Sequence, residues 1–95
     1  MKAIRFHEFG APDVLRYEDA LTPVIKPGEV LVRVQAAGLN PPDWYLREGY
    51  KALPPEWRPS VTFPAIPGSD VSGIVEKVAD DVTAFSVGDE VFGMI

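Results

Sequence analysis

Cysteine is absent from this 95-residue sequence, which excludes disulfides, thiolate metal ligands and a thiol nucleophile. Long apolar runs are absent too. The first ten residues, MKAIRFHEFG, carry charges at positions 2, 5 and 8, so neither a signal peptide nor a membrane span is expected. Basic residues are in deficit, with 9 Lys and Arg against 14 Asp and Glu, a net charge of −5 and a pI near 4.7. Unassisted binding to nucleic acid or to an anionic lipid surface is therefore disfavoured. Uninterrupted helix-forming stretches are scarce, because ten prolines and eight glycines are spread through the chain. Proline breaks helices and glycine weakens them, so short strands joined by turns are expected. The length allows one domain at most, with a small core. A chain this size without disulfides suits a reducing, cytoplasmic setting.

What is present is ordinary for a globular chain: 46% hydrophobic and 24% charged residues. Period-two alternation predicts a strand over 1–9, with Ala3, Arg5 and His7 on one face and Ile4 and Phe6 on the other. After the turn at 10–13, residues 14–17 alternate again. The segment 21–25 contains Pro23 and reads as an edge strand. Lys26-Pro27-Gly28-Glu29 is turn chemistry. It opens the clearest strand, 30–37, where Val30, Val32, Val34 and Ala36 form an apolar face.

The following segment, Gly38-Leu39-Asn40-Pro41-Pro42-Asp43, has the marks of a helix start. Asn40 can cap, proline is tolerated in the first turn, and Asp43 suits the positive end of the dipole. The helix should end near Arg47 or Glu48, before Gly49. Residues 50–63, with three prolines, make a loop long enough to be functional or disordered. Further strands are expected over 71–78 and 91–95, the second of which ends without a polar tail. That abrupt apolar end implies a chain that continues in the native protein.

Three segments in order carry a family resemblance: KPGEVLVRVQAAGLNPPDWYLREG (26–49), FPAIPGSDVSGIVEKV (63–78) and FSVGDEVFG (85–93). Together they resemble the N-terminal, GroES-like domain of the medium-chain dehydrogenase/reductase superfamily. The nearest likeness is to the zinc-free quinone oxidoreductases of the zeta-crystallin type. The resemblance implies a mainly β fold, an irregular, partly open GroES-like barrel with one or two short helices. It also implies that residues 1–95 are an incomplete N-terminal piece of a two-domain reductase. A dinucleotide site requires a strand, a glycine-rich turn and a helix N-terminus. Gly68 and Gly73 do not form that pattern, so the cofactor-binding Rossmann domain is expected outside these residues.

In zinc alcohol dehydrogenases the equivalent of AAGLNPPD carries a cysteine zinc ligand, and the equivalent of PGSD carries Gly-His-Glu. Here Asn40, Ser69 and Asp70 stand at those places. Amide and hydroxyl groups are poor zinc ligands beside thiolate and imidazole, so the resemblance implies reduction without a metal. Hydride attack on a quinone or enone builds negative charge on oxygen, and hydrogen-bond donors must stabilise it. The resemblance makes Asn40 and Tyr45 candidate catalytic donors. It places Asn40, Asp43, Tyr45 and Tyr50 near a nicotinamide cofactor, NADPH. Trp44 and Trp57 are candidates to wall an aromatic substrate.

Each residue also has a structural role open to it. Asn40 suits an N-cap, Asp43 a dipole partner, Tyr45 half-buried packing and Trp44 the core. Arg47 reads as a solvated side chain and His7 as a surface strand residue. Asp70 suits bonds to turn amides, and Ser69 has no histidine partner nearby in sequence. The leading expectation is the substrate-side domain of an NADPH-dependent quinone or enone oxidoreductase, homodimeric at full length as the likeness implies. The alternative is a stand-alone GroES-like or SH3-like barrel that binds a protein and catalyses nothing.

Overall fold

A computed structural model describes all 95 residues, Met1–Ile95. The chain is organised as two compact units, one built from Met1–Leu21 and Leu39–Gly68, the other from Thr22–Gly38 and Ser69–Ile95. The fold is mainly β with one α-helix, as the resemblance implied. Its sheets are open, one of two strands and one of three, and neither closes into a barrel.

In the first unit, β1 (Lys2–Arg5) pairs antiparallel with β2 (Arg16–Asp19), Lys2 opposite Asp19 and Arg5 opposite Arg16. A 3₁₀ turn over Pro12–Val14 precedes β2, so the second strand starts two residues later than the alternation predicts. The first strand stops at Arg5 rather than Phe9. Phe6 leaves the hairpin and forms an isolated bridge with Ala65, N–H to carbonyl at 3.0 Å in both directions. Its ring is fully buried, which is worth about 2–3 kcal/mol by area. Phe63 packs edge-on against both Phe6 and Phe9, at centroid separations of 5.8 and 5.0 Å. Phe6 is the buried core side chain of this unit, with the partly exposed Phe63 ring against it and Phe9 against Phe63 in turn. Face alternation therefore misplaces Ile4, which is exposed although it shares the parity of Phe6.

In the second unit, β3 (Val30–Ala37), β4 (Asp70–Val78) and β5 (Glu90–Met94) form an antiparallel sheet in the order β3-β4-β5. The predicted edge strand over 21–25 is absent, and Leu21 and Val24 are exposed. β3 runs over the residues predicted, but its apolar face is not continuous. Irregularities between Leu31 and Val32 and between Val34 and Ala36 interrupt the ladder, and residues 33–37 are exposed. Bulges break period two, which is why Val34 and Ala36 do not join Val32. Val75 is the buried side chain here. Beside it, Gly73 lies so close to β3 that an added Cβ would overlap the Arg33 carbonyl.

The turns are closed by carboxylates. Asp81 Oδ1 accepts from the Gly28 N–H at 2.8 Å, and Asp89 Oδ2 from the Ser86 N–H at 2.9 Å. No helix is long and apolar enough to cross a membrane.

Candidate active site

Helix α1 (Pro41–Arg47) carries most of the candidate residues. Its start is fixed by local chemistry. Asn40 is extended, at φ −133° and ψ 157°, and sits at the N-cap, with prolines in the first turn, where their missing N–H groups cost nothing. Asp43, at the third helical position, turns back on the cap: its Oδ2 accepts from the Asn40 N–H at 2.9 Å. Its Oδ1 accepts from the Gly68 N–H at 3.1 Å. Both oxygens of this half-buried carboxylate are thus engaged with backbone amides. The reading of Asp43 as a helix-start partner holds, and its reach to Gly68 adds a long-range tie that spacing does not reveal.

The helix ends in a Schellman turn. The Gly49 N–H donates to the Leu46 carbonyl at 2.9 Å and the Tyr50 N–H to the Tyr45 carbonyl at 2.8 Å. Gly49 has φ +78° and Tyr50 φ +55°. The left-handed region is natural for glycine and costly for a bulky side chain, so Tyr50 is held there by its surroundings. Arg47, expected on a solvated face, has a side chain only 15% exposed. Its Nε donates to the Gly10 carbonyl at 3.1 Å, while the Gly10 N–H donates to the Arg47 carbonyl at 2.9 Å. This reciprocal pair docks the last helical turn onto the loop after β1.

Trp44, expected in the core, is 43% exposed, and Tyr45 is 48% exposed. Their rings meet edge-on at 5.9 Å. An indole and a phenol therefore stand at the surface of a helix whose first-turn carboxylate is already occupied. Asn40, Asp43 and Tyr45 fall between the N-cap and the C-cap, Glu48, and Tyr50 lies two residues past it. Ser69 and Asp70 belong to the other unit, where Asp70 begins β4 and its carbonyl accepts from the Gly38 N–H at 3.0 Å. His7 lies past the end of β1 and shares Glu18 with Arg5. Those contacts hold the Glu18 carboxyl below its ordinary range, the His7 hydrogen bond contributing most.

The loop after α1 is ordered by its own bonds. The Leu53 N–H donates to the Tyr50 carbonyl at 2.9 Å, and Pro55–Trp57 form a 3₁₀ turn. Arg58 Nε donates to the Leu53 carbonyl at 3.0 Å and Nη2 to the Lys51 carbonyl at 3.2 Å. Sequence reasoning did not single out Arg58. The only signal was an arginine inside a proline-rich loop, where carbonyls lack helical partners.

The donor set suits part of a nicotinamide cofactor only. Phosphates bind at helix N-termini that present free amides, but Asp43 puts a carboxylate at this one. Asn40, Tyr45 and Tyr50 are neutral groups that match a carbonyl or carboxamide. No group of three His, Cys, Asp or Glu side chains converges to hold a metal ion.

Residues 26–95 match the alcohol dehydrogenase GroES-like domain. Over 93 residues the chain is 45% identical to a mouse (Mus musculus) quinone oxidoreductase, covering 97% of this chain and 26% of that protein. It is 39% identical to an NADPH-dependent alkenal/one oxidoreductase of Arabidopsis thaliana, covering 100% of this chain and 24% of that one. Among solved structures, the quinone oxidoreductase from Coxiella burnetii superposes with a TM-score of 0.85 at 36% identity, covering 99% of this chain and 29% of that chain. The chain spans about a quarter of the length of the curated relatives it matches.

Proposed function

The chain belongs to the alcohol dehydrogenase GroES-like domain family, and from that premise we propose that it is the N-terminal, substrate-side part of a zinc-independent, NADPH-dependent quinone or enone oxidoreductase. The observation that carries the reading is the α1 segment. It carries two neutral polar side chains, Asn40 at the N-cap and Tyr45 on the helix, while its one first-turn carboxylate is tied to backbone amides, which supports reading both as donors to a substrate oxygen. Similarity to quinone and alkenal/one oxidoreductases over nearly the whole chain supports the same reading.

The chemistry follows from where charge develops. Reduced nicotinamide supplies the hydride, and a further domain outside these residues would bind most of that cofactor. A quinone that gains a hydride carries an anionic oxygen, and one proton completes the hydroquinone. An enone gains the hydride at its β-carbon and becomes an enolate, which takes a proton at the α-carbon. In both, the oxygen that gains charge needs donors. Asn40 offers an amide N–H and Tyr45 a phenol O–H. A well-placed donor lowers such a barrier by about 3–4 kcal/mol. Asp43 acts behind them by fixing the start of the helix, and Tyr50 flanks the nicotinamide side. Asn40 stands where the zinc branch has a thiolate, so donors and not a Lewis acid polarise the acceptor. The working protein in this reading is a cytoplasmic homodimer.

The second reading is a non-catalytic protein-binding module. It is favoured by the exposed apolar strand β5, where Phe92 is 90% exposed. Following NADPH oxidation by the full-length protein with benzoquinone and with a simple enone decides between the two. Turnover with either acceptor is expected. No turnover with both overturns the reductase reading.

A further inference from the structure

A helix of seven residues is too short to hold itself in water, so α1 takes its place from its anchors. At the first turn Asp43 Oδ1 accepts from the Gly68 N–H at 3.1 Å. At the last turn Arg47 Nε donates to the Gly10 carbonyl at 3.1 Å, and the Gly10 N–H returns a bond to the Arg47 carbonyl at 2.9 Å. The Phe9 ring lies against Gly49 just beyond. Tyr45 stands midway between Asp43 and Arg47, and its own carbonyl accepts from the Tyr50 N–H at 2.8 Å. With the main chain held at these points, the side-chain torsions of Tyr45 decide where its phenol oxygen points.

The neighbour that limits those torsions is Trp44. Successive side chains diverge by about 100° around an α-helix, and adjacent residues do not face one another. The Trp44 and Tyr45 rings nevertheless meet, at a centroid separation of 5.9 Å and an interplanar angle of 67°. That is the edge-on arrangement which ring quadrupoles favour. Adjacency in sequence does not by itself produce it. The indole is also too exposed to serve as core filling, and the ring it touches is the candidate donor.

We infer that Trp44 is a positioning residue: its indole restricts the Tyr45 ring to the orientation in which the phenol O–H meets the oxygen that gains charge. A donor already oriented stabilises that charge better than a mobile one, because no reorganisation is left for the moment of reaction. The contact therefore acts on the chemical step and not on the affinity for the acceptor. This inference rests on the reductase reading and deepens it by naming what orients one of its two donors.

The test follows NADPH oxidation by the full-length protein with benzoquinone and with cyclohexenone. Trp44→Ala is expected to lower kcat roughly two- to tenfold for both acceptors, the range that one ring pair supports, while KM changes less than twofold. Trp44→Phe keeps a ring beside the phenol and should restore most of kcat. Trp44→Leu keeps apolar bulk without a ring and should not. In a Tyr45→Phe background Trp44→Ala should bring no further loss, because the indole acts through the phenol. Equal melting temperatures of Trp44→Phe and Trp44→Leu separate the effect from a loss of folding.

An unchanged kcat in Trp44→Ala overturns the inference. So does a loss confined to KM, which would make the indole a surface for the acceptor. Losses that add in the double variant reject it too, as does a Trp44→Leu protein as active as Trp44→Phe. If the wild-type protein reduces neither acceptor, the reductase reading fails and the inference falls with it. Full wild-type turnover with an unaffected Trp44→Ala rejects the inference alone.

Discussion

Asp43 and Gly68 meet through a carboxylate–amide hydrogen bond of 3.1 Å, twenty-five residues apart in sequence. The other oxygen of the same carboxylate holds the Asn40 amide at 2.9 Å. One side chain therefore caps the helix and fastens the turn that precedes β4.

Replacing Asp43 should be costly for structure before it is costly for chemistry. Asp43→Ala removes a cap partner and a charge-assisted bond, so a loss of about 2–3 kcal/mol is expected. Asp43→Asn keeps the shape and one acceptor oxygen, and should lose about 1 kcal/mol. Chemical denaturation followed by circular dichroism reads both. A neutral Asp43→Ala would show that the two bonds contribute nothing net.

The proposed function gives Asn40 two separable duties. Asn40→Asp retains a capping oxygen but removes the amide donor, so stability should hold within about 0.5 kcal/mol while kcat for quinone reduction falls roughly a hundredfold. Tyr45→Phe should lower kcat about tenfold, with little change in melting. Steady-state kinetics on the full-length protein measures both, and an Asn40→Asp protein with full kcat would remove Asn40 from the chemistry.

Two glycines should resist even alanine. At Gly49 an added Cβ would lie 2.9 Å from the Phe9 ring, at a φ of +78°, and Gly49→Ala is expected to cost about 2 kcal/mol. At Gly73 the obstacle is backbone, the Arg33 carbonyl, and Gly73→Ala should cost about 3 kcal/mol. The ordering of the two variants in a urea titration is the check.

The contacts of Glu18 set the sign of a pH dependence of folding. His7 first, and Arg5 after it, hold its carboxyl below the ordinary value. Its folded pKa is thus lower than its unfolded one. The stabilisation is present above the unfolded carboxylate range, near pH 4, and is lost as pH falls through the folded value. The melting difference between wild type and Glu18→Gln should be present at neutral pH and vanish in acid. A difference that persists unchanged in acid would contradict it.

Strand β5 pairs on one side only, with β4, and Phe92, Met94 and Ile95 are exposed. Open strand edges with apolar side chains promote association. The 95-residue chain alone should self-associate in light scattering at high concentration, and Phe92→Lys should shift it toward the monomer. A clean wild-type monomer would contradict this.

Helix α1 is legible in the sequence because its determinants are local. Asn40, the paired prolines, Asp43 and Gly49 act within a turn of one another, and the grouping of Asn40, Asp43, Tyr45 and Tyr50 follows from the same short range. β3 is legible in extent for a similar reason, its valine run. Its faces are not, because the bulges depend on how it registers with β4. Phe6 escapes a local reading altogether, since its partner Ala65 lies far along the chain. The second bond of Asp43 and the grip of Arg58 were hidden for a further reason. Their partners are backbone amides and carbonyls, which every residue possesses and no motif can mark.

The loop closed by Arg58 satisfies its own backbone with its own side chain. Such a segment is clamped from within, so that replacing Arg58 would release the Lys51 and Leu53 carbonyls together, next to the point where the Leu53 N–H is tied to Tyr50 at the helix terminus.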